Sequence, residues 1–410
     1  MDTATLTKMV AEDAALRRRQ RLQPVGGKGD KIFPPTYPGE GRNNPPPRHV
    51  FERRRLDGRE VWCVLVDSVQ SQANRLEESL LGIIRERSAC IPHVVVDFSG
   101  KGLEGISTIT SLEAPHRVYD AIFRDSDLDG KPFMKSPIGD RLVKASNADA
   151  SALLEVSPTA LLFGSWHSTG GGGGIGAKFA RCLVSEVVAA DVPVEEPVNP
   201  RTGEVEPRTA GRRTGSRIDP LGVLRKVEVY KGDDGEWDVT EAGAGPKAKK
   251  VRPSEINHGN IAPSVQPLGI TCDYLEHMFV LSFAALRRLR FGSPEKNEAG
   301  RALLAALGLM SMAEQDAQGY ALRSRCDLVC EGKAPLEVVH ADGTTANLAF
   351  DVAIVRDLYR ATFAAAKDAG FKFQEAPLSL TPQNKLVEIV RQSQNLALAG
   401  KGDETEESQG

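Results

Sequence analysis

Two stretches of this 410-residue chain combine residue types suited to holding phosphate. The first is a glycine run, Gly170, Gly171, Gly172, Gly173 and Gly174, leading through Ile175, Gly176 and Ala177 to Lys178 and Arg181. Glycine amides approach a phosphate closely because no Cβ stands in the way, and Lys178 and Arg181 add charge. Gly171, Gly173 and Gly176 fit G-x-G-x-x-G, but a glycine run meets that spacing almost by itself. Ser165 to Thr169 also separate it from the apolar run before it, whereas a dinucleotide fingerprint follows its strand directly. Neither Ser nor Thr follows Lys178, so the run is not a Walker A loop. What survives is a row of amides ahead of an expected helix, with Ser165 and His167 beside it. The second stretch, Arg212-Arg213-Thr214-Gly215-Ser216-Arg217-Ile218-Asp219-Pro220-Leu221-Gly222, interleaves guanidinium groups with small residues. It suits contact with successive phosphates, or reads as a surface loop whose arginines pair with nearby acids.

Other chemistries find little support. Asp125-Ser126-Asp127-Leu128-Asp129-Gly130 copies the first half of a calcium loop, but its twelfth position is Ser136 where a bidentate Glu belongs, so a polar turn is expected. Cys326 and Cys330 have no second pair of similar spacing, and no structural zinc site or other metal is expected. The six cysteines read as reduced, buried thiols. Neither H-E-x-x-H nor G-x-S-x-G occurs. The paired acids Glu77-Glu78 and Glu195-Glu196 read as solvated faces.

Charge is unevenly spread. The net charge is −3, and the last ten residues hold Lys401 against four acids, so the remainder is neutral. Arg208, Arg212, Arg213, Arg217, Arg225 and Lys226 cluster against Asp219, and Lys247, Lys249, Lys250 and Arg252 follow. Local basic clusters matter more than the total for a polyanion partner. With 40% hydrophobic and 26% charged residues the chain can bury a core. No run reaches the roughly 18–20 apolar residues of a membrane span, and a soluble cytoplasmic protein is expected.

The elements that must position these residues follow from periodicity. Residues 1–60 are rich in Pro, Gly, Asn and Arg and read as a poorly ordered arm, with a short helix around Thr7 to Arg21 as an option. Val61 to Val66 reads as a buried strand. Val69, Ala73, Leu76, Leu80 and Ile83 then form one apolar helical stripe from Ser68 to Arg87, leaving Gln70, Gln72, Asn74 and Arg75 largely off it. Strands are expected at Val94–Phe98, Ile106–Ile109 and Pro158–Phe163, and helices at His116–Phe123 and Phe179–Val188. Residues 191–266 form an insertion carrying a hairpin around Gly232-Asp233-Asp234-Gly235. The first half of Thr271–Phe291 fits helix or strand equally. Helices at Arg301–Met312 and Val352–Ala369 flank strands at Tyr320–Val329 and Leu336–Val339, and a last helix, Thr381–Leu398, is capped by Thr381 with Pro382 first. The division is thus 1–60, 61–190, 191–266, 267–398 and a disordered acidic tail, 399–410. Strands and helices alternate, giving an α/β or α+β class with one mixed sheet.

Three stretches together resemble a known family: Asp67 to Glu77; Leu161-Leu162-Phe163-Gly164-Ser165-Trp166 running into the glycine loop and Ala177 to Arg181; and Ser216 to Gly222. They are similar to the backbone subunit of CRISPR Cascade surveillance complexes of type I-G, formerly I-U, over Val61 to Leu398. The resemblance implies an α+β RAMP fold, with a ferredoxin-like, RNA-recognition-motif-like core sheet (the palm) and an inserted β-hairpin thumb. It implies a non-catalytic subunit without cofactor that polymerises head-to-tail along CRISPR RNA, beside other Cascade subunits, and presents the guide to target DNA. A holder without sequence preference should contact phosphates and 2′-hydroxyls. Ser68, Gln70, Gln72, Asn74 and Arg75, then Ser165, His167, Gly170, Gly171, Gly172, Gly173, Lys178 and Arg181, and finally Arg212, Arg213 and Arg217 are the expected RNA-binding residues. The alternatives are a metal-dependent backbone ribonuclease of the type III kind, using Asp125 or Asp127, and a glycine-loop nucleotide-binding enzyme.

Overall fold

The computed structural model describes residues 1–38, 47–56, 58–167, 178–201, 203–233, 235–374 and 376–398. Its centre is a nine-stranded sheet made of β1 Ala15–Pro24, β2 Phe51–Leu56, β3 Arg59–Asp67, β4 Leu183–Ala190, β5 Tyr274–Ser282, β6 Tyr320–Arg323, β7 Cys326–Cys330, β8 Leu336–Val339 and β9 Thr345–Leu348. The order is β6-β7-β1-β5-β4-β3-β2, with β8 also paired to β1 and β9 to β8. Every pairing is antiparallel, and β4 is bulged against β3 between Val187 and Val188. The chain is α+β.

One face of this sheet is buried. On β5 the buried positions are Leu275, His277, Phe279 and Leu281; on β1 they are Leu16, Arg18, Gln20, Leu22 and Pro24. Helices α1 Thr3–Glu12, α2 Val69–Arg85, α3 Pro294–Gln318 and α4 Val352–Asp368 pack together, with α2 against β4 and α3 against β5. Helix α3 is buried on every side from Ala302 to Gln315, as a helix inside a layered core must be. Leu76 and Leu80 of α2 are fully buried, each side chain contributing roughly 2 kcal/mol by leaving water.

A polar seam crosses this core. His277 Nδ1 donates to the Tyr320 hydroxyl (2.9 Å), which donates to Asp316 (2.5 Å). On the other side of the ring, Nε2 accepts from Ser185 (2.6 Å). The buried Arg18 pairs with Asp316, which satisfies its charge.

A second, five-stranded sheet runs Thr108–Thr110, Val94–Asp97, Leu378–Pro382, Ser126–Leu128 and Lys131–Pro132. Within residues 191–266, Arg213–Arg217 pairs with Ile261–Gln266, and Val229–Lys231 pairs with Trp237–Asp238 and Lys249–Val251. The hairpin expected around Gly232 is thus present. No helix among the described residues is long and apolar enough to cross a membrane.

Several expectations are corrected. The N-terminal segment is not an unstructured arm: it supplies α1, the central strand β1 and β2, while residues 39–46 lie outside the described residues. The buried positions of β1 read Leu-Arg-Gln-Leu-Pro, so its strand alternation is hidden by polar side chains. Phe179–Val188 is not helical; β4 starts at Leu183, and its end from Val187 to Ala190 is buried on both faces, which removes the period-two signal. Pro158–Phe163 is one helical turn, Thr159–Leu162, since a short apolar run does not separate helix from strand. Thr381 caps no helix: Pro382 ends a strand paired to Ser126, and the last helix is Asn384–Leu398. Cys90 is exposed. The acidic tail, 399–410, lies outside the described residues.

Candidate nucleic-acid interface

Helix α2 organises the motif residues. Ser68 caps it, its hydroxyl accepting from the Ser71 amide (3.2 Å). Asp67, with no exposed side-chain surface, accepts hydrogen bonds from Ser71 Oγ (2.8 Å), Gln72 Nε2 (2.7 Å), Arg75 Nε (3.0 Å) and Arg323 (3.0 Å). Arg323 also donates to the Val66 carbonyl (2.7 Å) and Arg75 to that of Leu322. Two guanidinium groups face one carboxylate, so this end of the helix carries surplus positive charge on top of its dipole.

The expected placement of the polar residues is corrected for two of them. Gln72 is fully buried, with Gln315 donating to its side-chain oxygen and the Ser185 hydroxyl beside it. Arg75 braces Asp67. Gln70 and Asn74 are exposed and Ser68 half-buried, so these three lie at the surface. Period alone misled here: Gln72 faces the polar seam, where a buried amide finds partners.

One turn further along α2, Glu77 is buried, not solvated, and forms a two-point ion pair with Arg117 at 2.8 and 2.7 Å. Burial pushes the Glu77 carboxyl up to about 7, against the pull of Arg117. Arg117 also donates to the Gly164 carbonyl (2.9 Å). Gly164 has φ +83°, and a Cβ there would lie 3.1 Å from the Phe179 carbonyl oxygen. That close approach admits a short hairpin, Ser165 and Trp166 paired with Phe179 and Lys178.

The glycine residues, Gly170 to Gly173 among them, lie outside the described residues, but their flanks are fixed. They lead into a strand and not a helix, so the expected helix N-terminus behind them is absent. Of the flanking residues, Lys178 and Arg181 are exposed and Ser165 half-buried. His167 is buried and stacked on Tyr119 at 5.0 Å, and burial, then Arg124, depress its pKa, favouring the neutral ring. Trp166, not singled out from the sequence, is 51% exposed with the Lys178 ammonium 5.7 Å from its ring. Such a face stacks on a nucleobase.

In the insertion, Arg212 pairs with Glu195 (2.8 Å) and donates to the Thr209 and Gly211 carbonyls. Arg213 is exposed on its strand, and Arg217 donates to the Asn257 carbonyl. Asp219 accepts from the Gly259 and Leu221 amides, which hold its carboxyl below the usual range and fix the turn. Ile218, Leu221 and Leu224 stand out from it, 85%, 74% and 71% exposed.

The two acids considered for catalysis are both engaged. Asp125 pairs with Arg124 and Lys385 (2.8 and 2.7 Å), and Asp127 accepts from Gln383 (2.7 Å). Asp129 and Gly130 take φ of 50° and 75° in the turn of a tight hairpin. Among the described residues no group of three metal-ligating side chains gathers.

Residues 16–194, a little under half of the chain, match the family model described as CRISPR-associated protein GSU0053. That segment contains Asp67 to Glu77 and both strands of the glycine hairpin, and stops before the Arg212 stretch. No curated protein matches the chain. Among solved structures, the crystal structure of Csc2 from Thermofilum pendens is similar at 10% identity, covering 96% of this chain and 80% of that chain with a TM-score of 0.27. The family resemblance read from the sequence is met over residues 16–194, where the chain is similar to the CRISPR-associated protein GSU0053 family.

Proposed function

We propose that the chain is a non-catalytic backbone subunit of a type I Cascade complex, holding CRISPR RNA by its sugar-phosphate backbone for pairing with target DNA. The observation that carries this is the placement of two family-matched motifs on one helix: the N-terminus of α2 presents Ser68, Gln70 and Asn74, and its middle anchors the glycine hairpin through Glu77 and Arg117. Strand order supports a ferredoxin-like palm. Strands β1, β4, β5 and β7 run in space as β7-β1-β5-β4, with α2 before β4 and α3 before β7, the arrangement of a βαββαβ unit. On this reading residues 61–190 and 267–398 belong to the palm and 191–266 to the thumb. The palm extends further, because β1 lies within residues 1–60.

The interface consists of Ser68, Gln70, Asn74, Ser165, His167, Lys178, Arg181, Arg212, Arg213 and Arg217 with the glycine amides, and Trp166 is added to it. Copies stack head-to-tail along the RNA, next to other Cascade subunits, in the cytoplasm. The test is purification of the tagged full chain from cells carrying a CRISPR array, with sequencing of the bound RNA. Enrichment of spacer-length guides is expected; protein free of nucleic acid, or bound to bulk RNA without guide enrichment, contradicts the reading.

A further inference from the structure

The two motifs that the family model separates, the α2 N-terminus and the Arg212 stretch, are bridged by residues assigned to neither. Arg325 sits in the two-residue turn between β6 and β7, next to Arg323, which grips Asp67. Its guanidinium lies over the Phe33 ring at 4.5 Å, and its carbonyl accepts from the Phe33 amide at 3.1 Å. Lys31, 5.6 Å from the same ring, donates to the Arg212 carbonyl. A continuous line of contacts therefore runs Arg75–Asp67–Arg323, then Arg325–Phe33–Lys31–Arg212.

The charge along this line is unbalanced. Neighbouring cations each have a carboxylate partner: Arg323 has Asp67, shared with Arg75, Lys28 has Glu331 and Arg212 has Glu195. Among the described residues no carboxylate pairs with Arg325 or Lys31. Arg325 is exposed, and it holds φ +56°, a left-handed conformation that strains a non-glycine residue and that glycine takes freely. The Phe33 platform is itself fixed from behind. Gly269 lies so close that a Cβ there would meet the ring at 3.0 Å, and its amide donates to His49 (3.0 Å).

We propose that Arg325, carried on Phe33 and flanked by Lys31, is a phosphate clamp for single-stranded RNA that joins the α2 surface to the insertion. The proposal rests on the RNA-holding reading. A guanidinium stacked on an aromatic ring keeps its N–H edge free for two parallel hydrogen bonds to a phosphate, and the ring pre-orders it.

The test is fluorescence anisotropy of a fluorescein-labelled single-stranded RNA titrated with the full chain over a range of salt, for the parent, Arg325→Ala, Arg325→Gly and Phe33→Leu. Both Arg325 variants should weaken binding about tenfold and reduce the slope of log K against log salt by about 0.7 for each phosphate released. Phe33→Leu should weaken binding less. Arg325→Gly should not lower Tm, because it relieves the backbone while removing the clamp. If the parent binds with a salt slope and the Arg325 variants match it in affinity and slope, the clamp is wrong and the broader reading stands. A lower affinity at unchanged slope makes Arg325 structural and also overturns it. If the parent itself fails to bind, the reading beneath the proposal falls.

Discussion

The guanidinium of Arg117 meets the carboxylate of Glu77 at two points, 2.8 and 2.7 Å, with both side chains buried. This pair joins the helix that presents one surface motif to the turn that launches the other. Removing one partner strands a buried charge, which typically costs about 3–5 kcal/mol.

Arg117→Met should therefore lower the unfolding free energy by about 3 kcal/mol or more, and Glu77→Met with Arg117→Met should recover part of it. Urea denaturation of both variants checks this. Equal loss in the single and double variants would show that a stranded Glu77 charge is not the source of the loss.

Acid should destabilise the fold. Burial, first of all, lowers the pKa of His49, His93 and His167, and it lowers that of His277 to about 3 with Arg18 adding to the effect. Each such histidine contributes stability that is complete above the unfolded value of 6.5 and is lost as pH falls below it toward the folded value. Glu77 acts oppositely, its raised pKa favouring the fold as pH falls from about 7 toward 4.5. Four histidines outweigh one carboxyl, so stability should decline from pH 6.5 to 5. His277→Asn should flatten that decline by about 1.4 kcal/mol per pH unit, read from denaturation at each pH. A flat parent profile would contradict it.

Trp166→Ala should weaken binding to single-stranded RNA by about 1–3 kcal/mol, the worth of one base stacked on an aromatic ring, with little change in Tm because the side chain is half-exposed. Anisotropy and thermal unfolding measured together separate the two effects. An unchanged affinity removes Trp166 from the interface.

Arg75 and Asn74 should diverge. Asn74→Ala is an exposed change and should leave stability within about 0.5 kcal/mol, whereas Arg75→Ala takes a guanidinium from buried Asp67 and should cost at least about 1–3 kcal/mol. Matching losses of stability in the two variants would refute this division.

Sequence periodicity made α2, α3, α4, β3 and the insertion hairpin legible because each has an uninterrupted apolar stripe or a clear turn. It missed β1, whose buried face carries Arg18 and Gln20, bonded to partners roughly 300 residues away, Asp316 and Gly332. It also misassigned β4, buried on both faces at one end. For the candidate site, residue types singled out stretches of chain but not the orientation of their side chains. Gln72 and Glu77 look like solvated residues until Ser185 and Arg117, far away in the chain, are seen against them. Trp166 was visible beside the glycine run, and its exposure is what marks it; Arg325 and Phe33 gave no local signal, since their meaning lies in a contact between distant turns.

The account's central claim is that RNA lies along the surface set by α2, the glycine hairpin and the base of the insertion. The most direct measurement is ultraviolet cross-linking of the full chain to guide RNA, followed by mass spectrometry of the linked peptides. Cross-links should fall on the peptides holding Ser68 to Asn74, Trp166 to Arg181 and Arg212 to Arg217. Cross-links confined to the five-stranded sheet or the last helix, Asn384–Leu398, would contradict it.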